Sequence, residues 1–511
     1  MSDTNFTNSR SLPIILLTVL GVACAGLPPA PGNVIDHPPD ASAPPRAGGA
    51  LPGLSRAQQV LFGQGKEAFN EIDTVKGGND TSAGLGPRFN LNSCAGCHAF
   101  PAVGGSSGFV NPEPRVATAD GATNQAVIPF LRSDGPIVEA RFKWLVDADG
   151  NFLRASDGRS ASGLRPDGGV HALFTITHRT DAGDCTIPQP PFERAWTNNN
   201  VTLRIPTPLF GLGLIEAISD ATIEGNSLEM LRRISTAPTT ANDLRASQSR
   251  VMFSVHKQLG IAGRPGRGRE NRSGNDSTIT RFGWKAQNKS LLLFAGEAYN
   301  VEQGVTNELF PNERDDEPVR LPNACKTNAT PEDDFKFAEN ATGDLTKFEL
   351  FMRLLSPPQP ACDLTQDGGC APNIVRGSQV FDQISCSACH VRQLRIGASS
   401  ILAIEAQQYA HLYSDLLLHR MGRCAANADH TPKCLADDIA QGQAQGDEFR
   451  TAPLWGAGQR VFFLHDGRAR NLPAAILAHK GPGSEANAVI KLYERLPDTS
   501  KQDLIDFLRS L

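Results

Sequence analysis

Cys94-Ala-Gly-Cys97-His98 and Cys386-Ser-Ala-Cys389-His390 are two copies of one pattern, Cys-x-x-Cys-His. Two thiols three positions apart can form thioether bonds to the two vinyl groups of one porphyrin, and the next residue then lies beneath the iron as its proximal ligand. A zinc site would need a second close pair of cysteine or histidine ligands, and the sequence has none near either motif. The pattern therefore predicts two covalently attached c-type haems, with His98 and His390 as iron ligands.

An opening helix is predicted before each motif. Gly65 and Phe69 stand about one helical turn apart before the first motif, and Gly377 and Phe381 repeat this spacing before the second. Residues four apart share one face of a helix. Each glycine leaves room for a crossing helix, and each phenylalanine lies on the same face. The chain therefore repeats the opening of a cytochrome c domain.

A closing helix is predicted after each motif. Residues 344–356 and 500–511 both place apolar side chains on one stripe at helical spacing. Pro357-Pro358-Gln359-Pro360 separates the two copies, because proline cannot continue a helix. A serine followed three residues later by an acidic or amide side chain predicts a capped helix start, and this pattern occurs at Ser55/Gln58 and at Ser500/Asp503.

The predicted fold is mainly α, with two cytochrome c-like domains over 52–358 and 359–511. The first domain is the longer because it carries an insertion over 100–280. We expect that insertion to be loop-rich and partly β, arranged around the first haem. Two stretches in it alternate between apolar and polar residues as strands do, namely Ala172–His178 and Asn200–Ile205.

The N-terminus is typical of an exported protein. Arg10 precedes an apolar run, Leu12–Ala25, that is too short to span a bilayer and fits the core of a signal peptide over 1–25. A weaker reading makes Cys24 the lipidated first residue of a membrane-anchored form. Residues 26–51 are rich in proline, alanine and glycine and are predicted to be a disordered linker. These features predict a periplasmic protein.

The cysteine count agrees with export. Of eleven cysteines, four belong to the two motifs and Cys24 belongs to the N-terminal segment. An even remainder of six in an exported protein indicates disulfides, although six cysteines allow fifteen connectivities. Pairing by closeness in sequence gives Cys362–Cys370 and Cys424–Cys434, which leaves Cys185–Cys325.

Composition limits the function classes. The chain has 511 residues, of which 40% are hydrophobic, enough for a sizeable core. Its net charge of −5 lacks the basic footprint of a nucleic-acid-binding protein. We therefore expect no nucleic-acid partner.

Further stretches carry a family resemblance: Gly84–Cys94, Gly104–Ser107, Pro208–Glu216, Arg281–Gln287, Gly304–Pro311, Tyr413–His419, Phe449–Trp455 and Leu464–Arg470. With these motifs, residues 54–511 resemble the di-haem oxidoreductase family, a branch of the di-haem cytochrome c peroxidase and MauG-like superfamily. The resemblance implies that the C-terminal haem collects electrons and that peroxide or oxygen chemistry occurs at the N-terminal haem. It also implies a small redox donor, either a cytochrome c or a cupredoxin. Calcium between the domains enters by analogy only.

The resemblance implies a second ligand for the C-terminal haem. His479 stands where peroxidases commonly have methionine and the MauG-like branch has tyrosine, so His390 and His479 are predicted to ligate the iron together. The alternative is that His479 caps a helix and faces water. After His98 no methionine or histidine occurs until His171, which favours an open first haem.

The resemblance also implies three catalytic candidates. Glu308 matches the peroxidase acid–base glutamate, and Glu216 is a second candidate for that role. Trp284 matches the region of the tryptophan that relays electrons between the haems. The alternatives are a surface carboxylate for each glutamate and plain core packing for the tryptophan.

Three functions are consistent with these features. The first is a peroxidase-type oxidoreductase that reduces hydrogen peroxide. The second is an electron-transfer cytochrome without a substrate site. The third is oxidation of an organic or protein substrate, as in the MauG-like and rubber-oxygenase branches.

Overall fold

The computed structural model describes residues 34–37, 39, 46–78, 81–125, 127–155, 163–236, 243–268, 278–312, 321–326, 343–424 and 434–511. The predicted signal peptide, Cys24 and most of the predicted linker lie outside these ranges. Within them, no helix is both long enough and apolar enough to cross a membrane.

Helices are the main regular structure, as predicted. The described residues form fifteen α-helices: α1 Arg56–Asn70, α2 Cys94–Cys97, α3 Glu113–Val116, α4 Phe192–Thr197, α5 Leu212–Glu216, α6 Asp220–Glu224, α7 Leu228–Thr236, α8 Leu244–Leu259, α9 Leu291–Glu302, α10 Asp344–Leu354, α11 Pro372–Gln383, α12 Leu402–Glu405, α13 Leu472–Leu477, α14 Asn487–Glu494 and α15 Asp498–Arg509.

The strands are short and form small sheets. They are β1 Asp73–Thr74, β2 Lys76–Gly78, β3 Thr81–Ala83, β4 Arg88–Phe89, β5 Glu139–Phe142, β6 Val170–His171, β7 Phe174–Thr175, β8 Val201–Arg204, β9 Gly266–Arg267, β10 Ile279–Thr280, β11 Leu394–Arg395, β12 Tyr409–Ala410, β13 Leu418–Arg420 and β14 Glu448–Arg450. Two sheets have three strands, in the orders β1-β3-β2 and β6-β5-β8, and the others are two-stranded.

Two pairs of crossing helices hold the segments around the motifs. Helix α1 packs on α10, and α11 packs on α15. A Cβ atom on Gly65 would lie 2.5 Å from the carbonyl oxygen of Lys347, and one on Gly377 would lie 1.9 Å from that of Asp503. Both distances are too short for a side chain. The prediction that these glycines permit close helix crossing is therefore confirmed.

The two phenylalanines also lie at these crossings. The ring centroid of Phe69 is 4.7 Å from that of Phe351 in α10. The ring of Phe381 is 5.5 Å from that of Phe507 in α15, in an edge-on arrangement. The apolar cluster of the first pair extends to Cys94, and that of the second extends to Cys386. Each crossing therefore supports one motif.

A matched pair of substitutions in α1 tests the first crossing. Gly65→Ala is expected to destabilise the protein by about 1–3 kcal/mol, because its Cβ would overlap backbone of α10. Gly63→Ala is expected to stabilise it by about 0.5–1 kcal/mol, since a Cβ there meets nothing within 4 Å and alanine favours a helix. Urea unfolding followed by circular dichroism measures both. Equal effects at the two positions would contradict the close crossing.

Of the two helix caps predicted from the sequence, one is confirmed and one is wrong. The capping box at Ser55 and Gln58 is confirmed. The cap predicted at Ser500 and Asp503 is wrong, because α15 begins two residues earlier, after Pro497, and has no side-chain cap. The carboxylate of Asp503 instead accepts two hydrogen bonds from the guanidinium of Arg376, at 2.7 and 2.8 Å.

Segment 100–280 contains more helix than its sequence pattern indicates. The strand expected at 200–205 is present as β8, whereas only two residues of 172–178 form strand, as β7. The longest element is α8, which alternation does not reveal. Asp243 caps its start by accepting a hydrogen bond from the Ala246 amide, and Gly260 ends it at φ 75°. An aspartate before and a glycine after a helical stretch is the signal that could have identified it.

All three predicted disulfides are present, Cys185–Cys325, Cys362–Cys370 and Cys424–Cys434. None of these disulfides involves a cysteine of the two motifs. The six other described cysteines are paired with one another, so the motif cysteines remain available for attachment of a haem.

Candidate active site at the first Cys-x-x-Cys-His motif

Two cavities flank His98. The larger, with about 770 Å³ of empty space, also contacts Cys97. The second, of about 570 Å³, contacts Cys94 and Cys97 as well. Its wall is mostly apolar and includes Phe69, Leu91, Leu209, Phe294, Phe348 and Met352. The motif therefore borders two adjoining spaces, one mostly apolar and one larger, which together offer room for a covalently held porphyrin.

Both motif histidines present the same nitrogen for coordination. Nδ1 of His98 donates to the carbonyl oxygen of Gly105 (3.0 Å), and Nδ1 of His390 donates to that of Tyr413 (2.9 Å). Burial lowers the pKa of each imidazole to about 4, so both are neutral. Each Nε2 therefore keeps a free lone pair, which is the form in which histidine binds iron. The residues at both motifs fit a haem.

The structure brings His479 close to His390. His479 follows α13, which begins at the cap Asn471. Its Nδ1 donates to the carbonyl oxygen of Ala475 (2.8 Å), which leaves Nε2 free as in the proximal histidines. After burial, the charge of His479 is the next largest influence that lowers the pKa of His390. The two imidazoles therefore lie within electrostatic reach of each other.

A hydrogen-bonded pair of carboxyl groups lines the larger cavity. Glu139 lies in β5, Glu302 ends α9, and their side chains hydrogen-bond to each other. Burial, and then the charge of Glu139, raises the pKa of Glu302 well above its usual value. The Glu139 carboxyl is held ionised against its burial by Arg141, whose Nε donates to Oε1 (2.5 Å). The two carboxyl groups therefore form a proton-sharing pair, in which Glu302 holds its proton more tightly than an ordinary glutamate does.

Two further glutamates line the larger cavity. Burial raises the pKa of Glu113 to about 8, although Asn111 Nδ2 (2.8 Å) and the Val138 amide (3.0 Å) donate to its carboxylate. Burial also raises the pKa of Glu297, on α9. The larger cavity therefore combines apolar walls with several groups that hold protons near neutral pH.

Trp284 lies at this cavity, as expected for a residue near the haems. It lines both the space beside His98 and a neighbouring cavity. Its indole Nε1 donates to the carbonyl oxygen of Ile205 (2.9 Å). The apolar cluster that contains Trp284 extends to Ala478, the neighbour of His479. Trp284 therefore connects the surroundings of His98 with those of His479.

The two sequence-predicted glutamates lie elsewhere. Glu308 is exposed and lines neither cavity. In the stretch Thr306-Asn307-Glu308, the inward residue is Asn307, whose Nδ2 donates to the carbonyl oxygen of Gly296 (3.0 Å). Glu216 accepts from Arg353 Nε (2.7 Å) and from the Leu291 amide (2.9 Å), away from His98. The structure supplies no contact that supports an acid–base role for either.

The carboxyl pair was missed because its members are far apart in sequence. One signal was available, since α9 is an apolar helix, Leu-Leu-Leu-Phe-Ala-Gly-Glu297-Ala-Tyr-Asn-Val-Glu302, with two acidic residues in it. Acidic side chains in a mostly apolar helix indicate a lined cavity or a buried partner. The next three histidines after His98 in the sequence, His171, His178 and His256, line neither cavity beside His98.

A buried charged cluster supports the second motif. The imidazole of His419 lies between two carboxylates, with Nε2 at 2.9 Å from Asp415 Oδ2 and Nδ1 at 2.8 Å from Glu485 Oε2. The same Nδ1 is 3.7 Å from Cys389 Sγ. The amide of Asp415 donates to the Cys389 carbonyl oxygen (2.9 Å). These contacts fix the position of Cys389, whose sulfur is the predicted attachment point of the second haem.

The two motifs and the cavities beside them are consistent with one class of protein, the di-haem oxidoreductases. A family model described as "Di-haem oxidoreductase, putative peroxidase" matches residues 194–511, more than half of the chain. The chain belongs to this di-haem oxidoreductase family and is an oxidoreductase enzyme. Membership implies haem cofactors. No curated protein matches the sequence.

Three solved structures are similar over part of the chain. Hydrazine synthase of Kuenenia stuttgartiensis, solved under xenon pressure, is 14% identical and covers 55% of this chain and 91% of its own (TM-score 0.27). The diheme peroxidase BthA of Burkholderia thailandensis is 14% identical and covers 60% and 86% (TM-score 0.28). A MauG-like protein associated with microbial copper homeostasis is 15% identical and covers 60% and 90% (TM-score 0.26).

Proposed function

We propose that this protein is a periplasmic di-haem peroxidase that reduces hydrogen peroxide to water at the haem held by Cys94, Cys97 and His98. The reaction takes up two electrons and two protons for each peroxide and yields two waters. The observation that carries the proposal is the proton-sharing pair, Glu139 and Glu302, in the cavity beside His98. A plain electron carrier has no need for such a pair.

The chain's own residues supply the proton chemistry. Breaking the peroxide bond heterolytically requires a proton to move from one oxygen to the other, which a positioned carboxyl group achieves. The pKa of Glu302 is raised well above its usual value, so it is suited to hold and deliver a proton, and Arg141 keeps its partner Glu139 ionised. When bound, the haem binds peroxide and supplies electrons. The surrounding apolar walls exclude water and strengthen these interactions.

We propose that electrons enter at the second haem, which His390 and His479 would hold. Both imidazoles are neutral, and both donate Nδ1 to backbone carbonyl oxygens, so each Nε2 is available. Two histidine ligands would leave no position for substrate and would favour a low reduction potential compared with methionine ligation. A cytochrome c or cupredoxin is the proposed donor, and Trp284 is the proposed relay between the haems.

The other expectations remain part of this proposal. The helix pairs α1/α10 and α11/α15 support two cytochrome c-like domains over 52–358 and 359–511, the first with its insertion at 100–280. The disulfides support export to the periplasm, with lipid attachment at Cys24 as the alternative to a cleaved signal peptide. Glu308 and Glu216 stay predictions for the acid–base role. A calcium ion between the domains is proposed only by analogy with the peroxidases.

Spectroscopy followed by turnover tests the proposal. We expect the half-reduced protein to show a high-spin ferric signal in electron paramagnetic resonance, and peroxide to change its absorption spectrum. Reduced cytochrome c should then be oxidised with peroxide at a ratio of two to one. If both haems stay low-spin in every redox state and peroxide changes nothing, the protein is an electron carrier. A peroxide-reactive haem without cytochrome turnover would indicate an organic or protein substrate instead.

A further inference from the structure

A third cavity, with about 550 Å³ of empty space, adjoins the one beside His98. The two share Thr207 and Trp284 as lining residues. Phe100, which follows the first motif closely, lines the third cavity from one side, and Trp455 lines it from the C-terminal part of the chain. This cavity therefore lies where the two motif-bearing parts of the chain meet around Trp284.

Two arginines line this cavity, and no acidic residue does among the described residues that form it. Arg450 is buried, with Nε donating to the carbonyl oxygen of Gly283 (3.0 Å) and Nη1 to that of Thr451 (3.1 Å). These are neutral acceptors, so the charge of Arg450 has no ion-pair partner within the described residues. The nearest charge that acts on it is that of Asp415.

The guanidinium of Arg460 has fewer hydrogen-bond partners than that of Arg450. Its Nε and Nη2 atoms are buried and have no hydrogen-bond partner among the described residues. The guanidinium lies over the indole of Trp284, 5.8 Å from the ring centroid. Burial lowers the pKa of Arg460 to about 10, and no neighbouring charge opposes this effect. A guanidinium is rarely buried without an anion, because removing its charge from water is costly.

We propose that Arg450 and Arg460 form a buried carboxylate-binding site beside Trp284, occupied by a propionate of the haem attached at Cys94 and Cys97. A guanidinium matches a carboxylate in geometry and charge and can bind it through two parallel hydrogen bonds. Haem carries two propionates at one edge. The shared wall of Thr207 and Trp284 places the site next to the space beside His98. This inference rests on the haem placement in the proposed function.

The site has a consequence for electron transfer. A propionate held by Arg460 would lie close to Trp284, because the guanidinium of Arg460 lies over this indole. The two cations would also offset the negative charge of the propionate, which favours the reduced haem. Arg450 and Arg460 are therefore positioning residues, because they hold the cofactor rather than the substrate.

The test is a redox titration of the haem-loaded protein. Arg460→Gln is expected to lower the reduction potential of one haem, the peroxide-reactive one, because it removes a positive charge near its propionate. Arg460→Lys keeps the charge but not the two-bond geometry and should cause a smaller fall. Arg470→Gln is the matched control, since Arg470 lies over Phe462 (5.0 Å) but is exposed, and it should shift neither potential.

Two further measurements separate the sources of failure. Pyridine haemochrome analysis counts the attached haems, so fewer than two per chain would contradict the proposed function and not this site alone. Acetate is the probe for a free carboxylate. If acetate shifts the wild-type potential saturably and Arg460→Gln abolishes that shift, the propionate assignment is overturned. The inference is also overturned if two haems are present and both arginine variants leave both potentials unchanged. If Arg460→Gln does not fold, Arg460→Lys alone decides.

Discussion

Glu302→Gln is expected to lower kcat/KM for peroxide reduction by about 10²- to 10⁴-fold, the usual contribution of a positioned general acid or base. Glutamine keeps the size of the side chain and can donate a hydrogen bond to Glu139, but it holds no transferable proton. Asn90, which donates to Glu302 Oε2 (2.6 Å), still finds an acceptor in the amide oxygen. We therefore expect folding and haem content to persist. Stopped-flow mixing with peroxide measures the rate.

The pH dependence of peroxide reduction provides a second test of the role of Glu302. The pKa of Glu302 is raised well above its usual value, so its proton is lost at a higher pH than that of an ordinary glutamate. Wild-type activity should therefore fall on the alkaline side, and Glu302→Gln should lack that limb. Glu308→Gln is the control, because Glu308 is exposed and touches neither cavity. A large loss in the Glu308 variant with normal activity in the Glu302 variant would return the acid–base role to the residue that the sequence motif indicates.

His479→Ala is expected to convert the C-terminal haem from low spin to high spin. Removal of the imidazole leaves His390 as the only strong axial ligand, and the sixth position then becomes empty or takes up water. Electron paramagnetic resonance of the oxidised protein detects the change directly. We also expect the reduction potential of this haem to rise and turnover with reduced cytochrome c to fall, because electron entry depends on it.

Two further variants serve as controls for the spin-state change expected in His479→Ala. His479→Met should keep the haem low-spin and raise its potential, since a thioether ligand favours the ferrous state. His411→Ala replaces an exposed histidine in the same part of the chain and should change neither spin state nor potential. An unaltered low-spin signal in His479→Ala would mean that His479 only caps α13 through its bond to the Ala475 carbonyl oxygen.

Local sequence patterns predicted much of the scaffold. Gly65 and Gly377 predicted two helix crossings, because a glycine one turn before a phenylalanine on the same helix face lets a second helix approach closely. An even number of cysteines and two short separations predicted Cys362–Cys370 and Cys424–Cys434, which left Cys185 to pair with Cys325. The same approach failed for the Ser500/Asp503 cap, where Asp503 binds Arg376 from another helix. A partner that lies far away in the sequence cannot be recognised from the local sequence pattern.

The proton-sharing pair shows the same limit at the active site. The Thr-Asn-Glu motif directed attention to Glu308, yet Asn307 is the residue that faces inward there. Glu139 and Glu302 come from a strand and a helix far apart in the chain, and the only local sign was the presence of acidic residues in the apolar helix α9. Their side chains meet only in the folded chain, where the charge of Glu139 helps to raise the pKa of Glu302.

The sequence by itself predicted where the two haems attach and which histidines lie beneath them, since covalent geometry sets the spacing of Cys-x-x-Cys-His. It also indicated that the two copies differ, with His479 available only to the second. The tertiary structure decided which carboxyl groups meet beside His98 and which arginines lie buried without an anion near Trp284. The physical reason is that charge and burial depend on neighbours in space, which the folded chain brings together from distant positions.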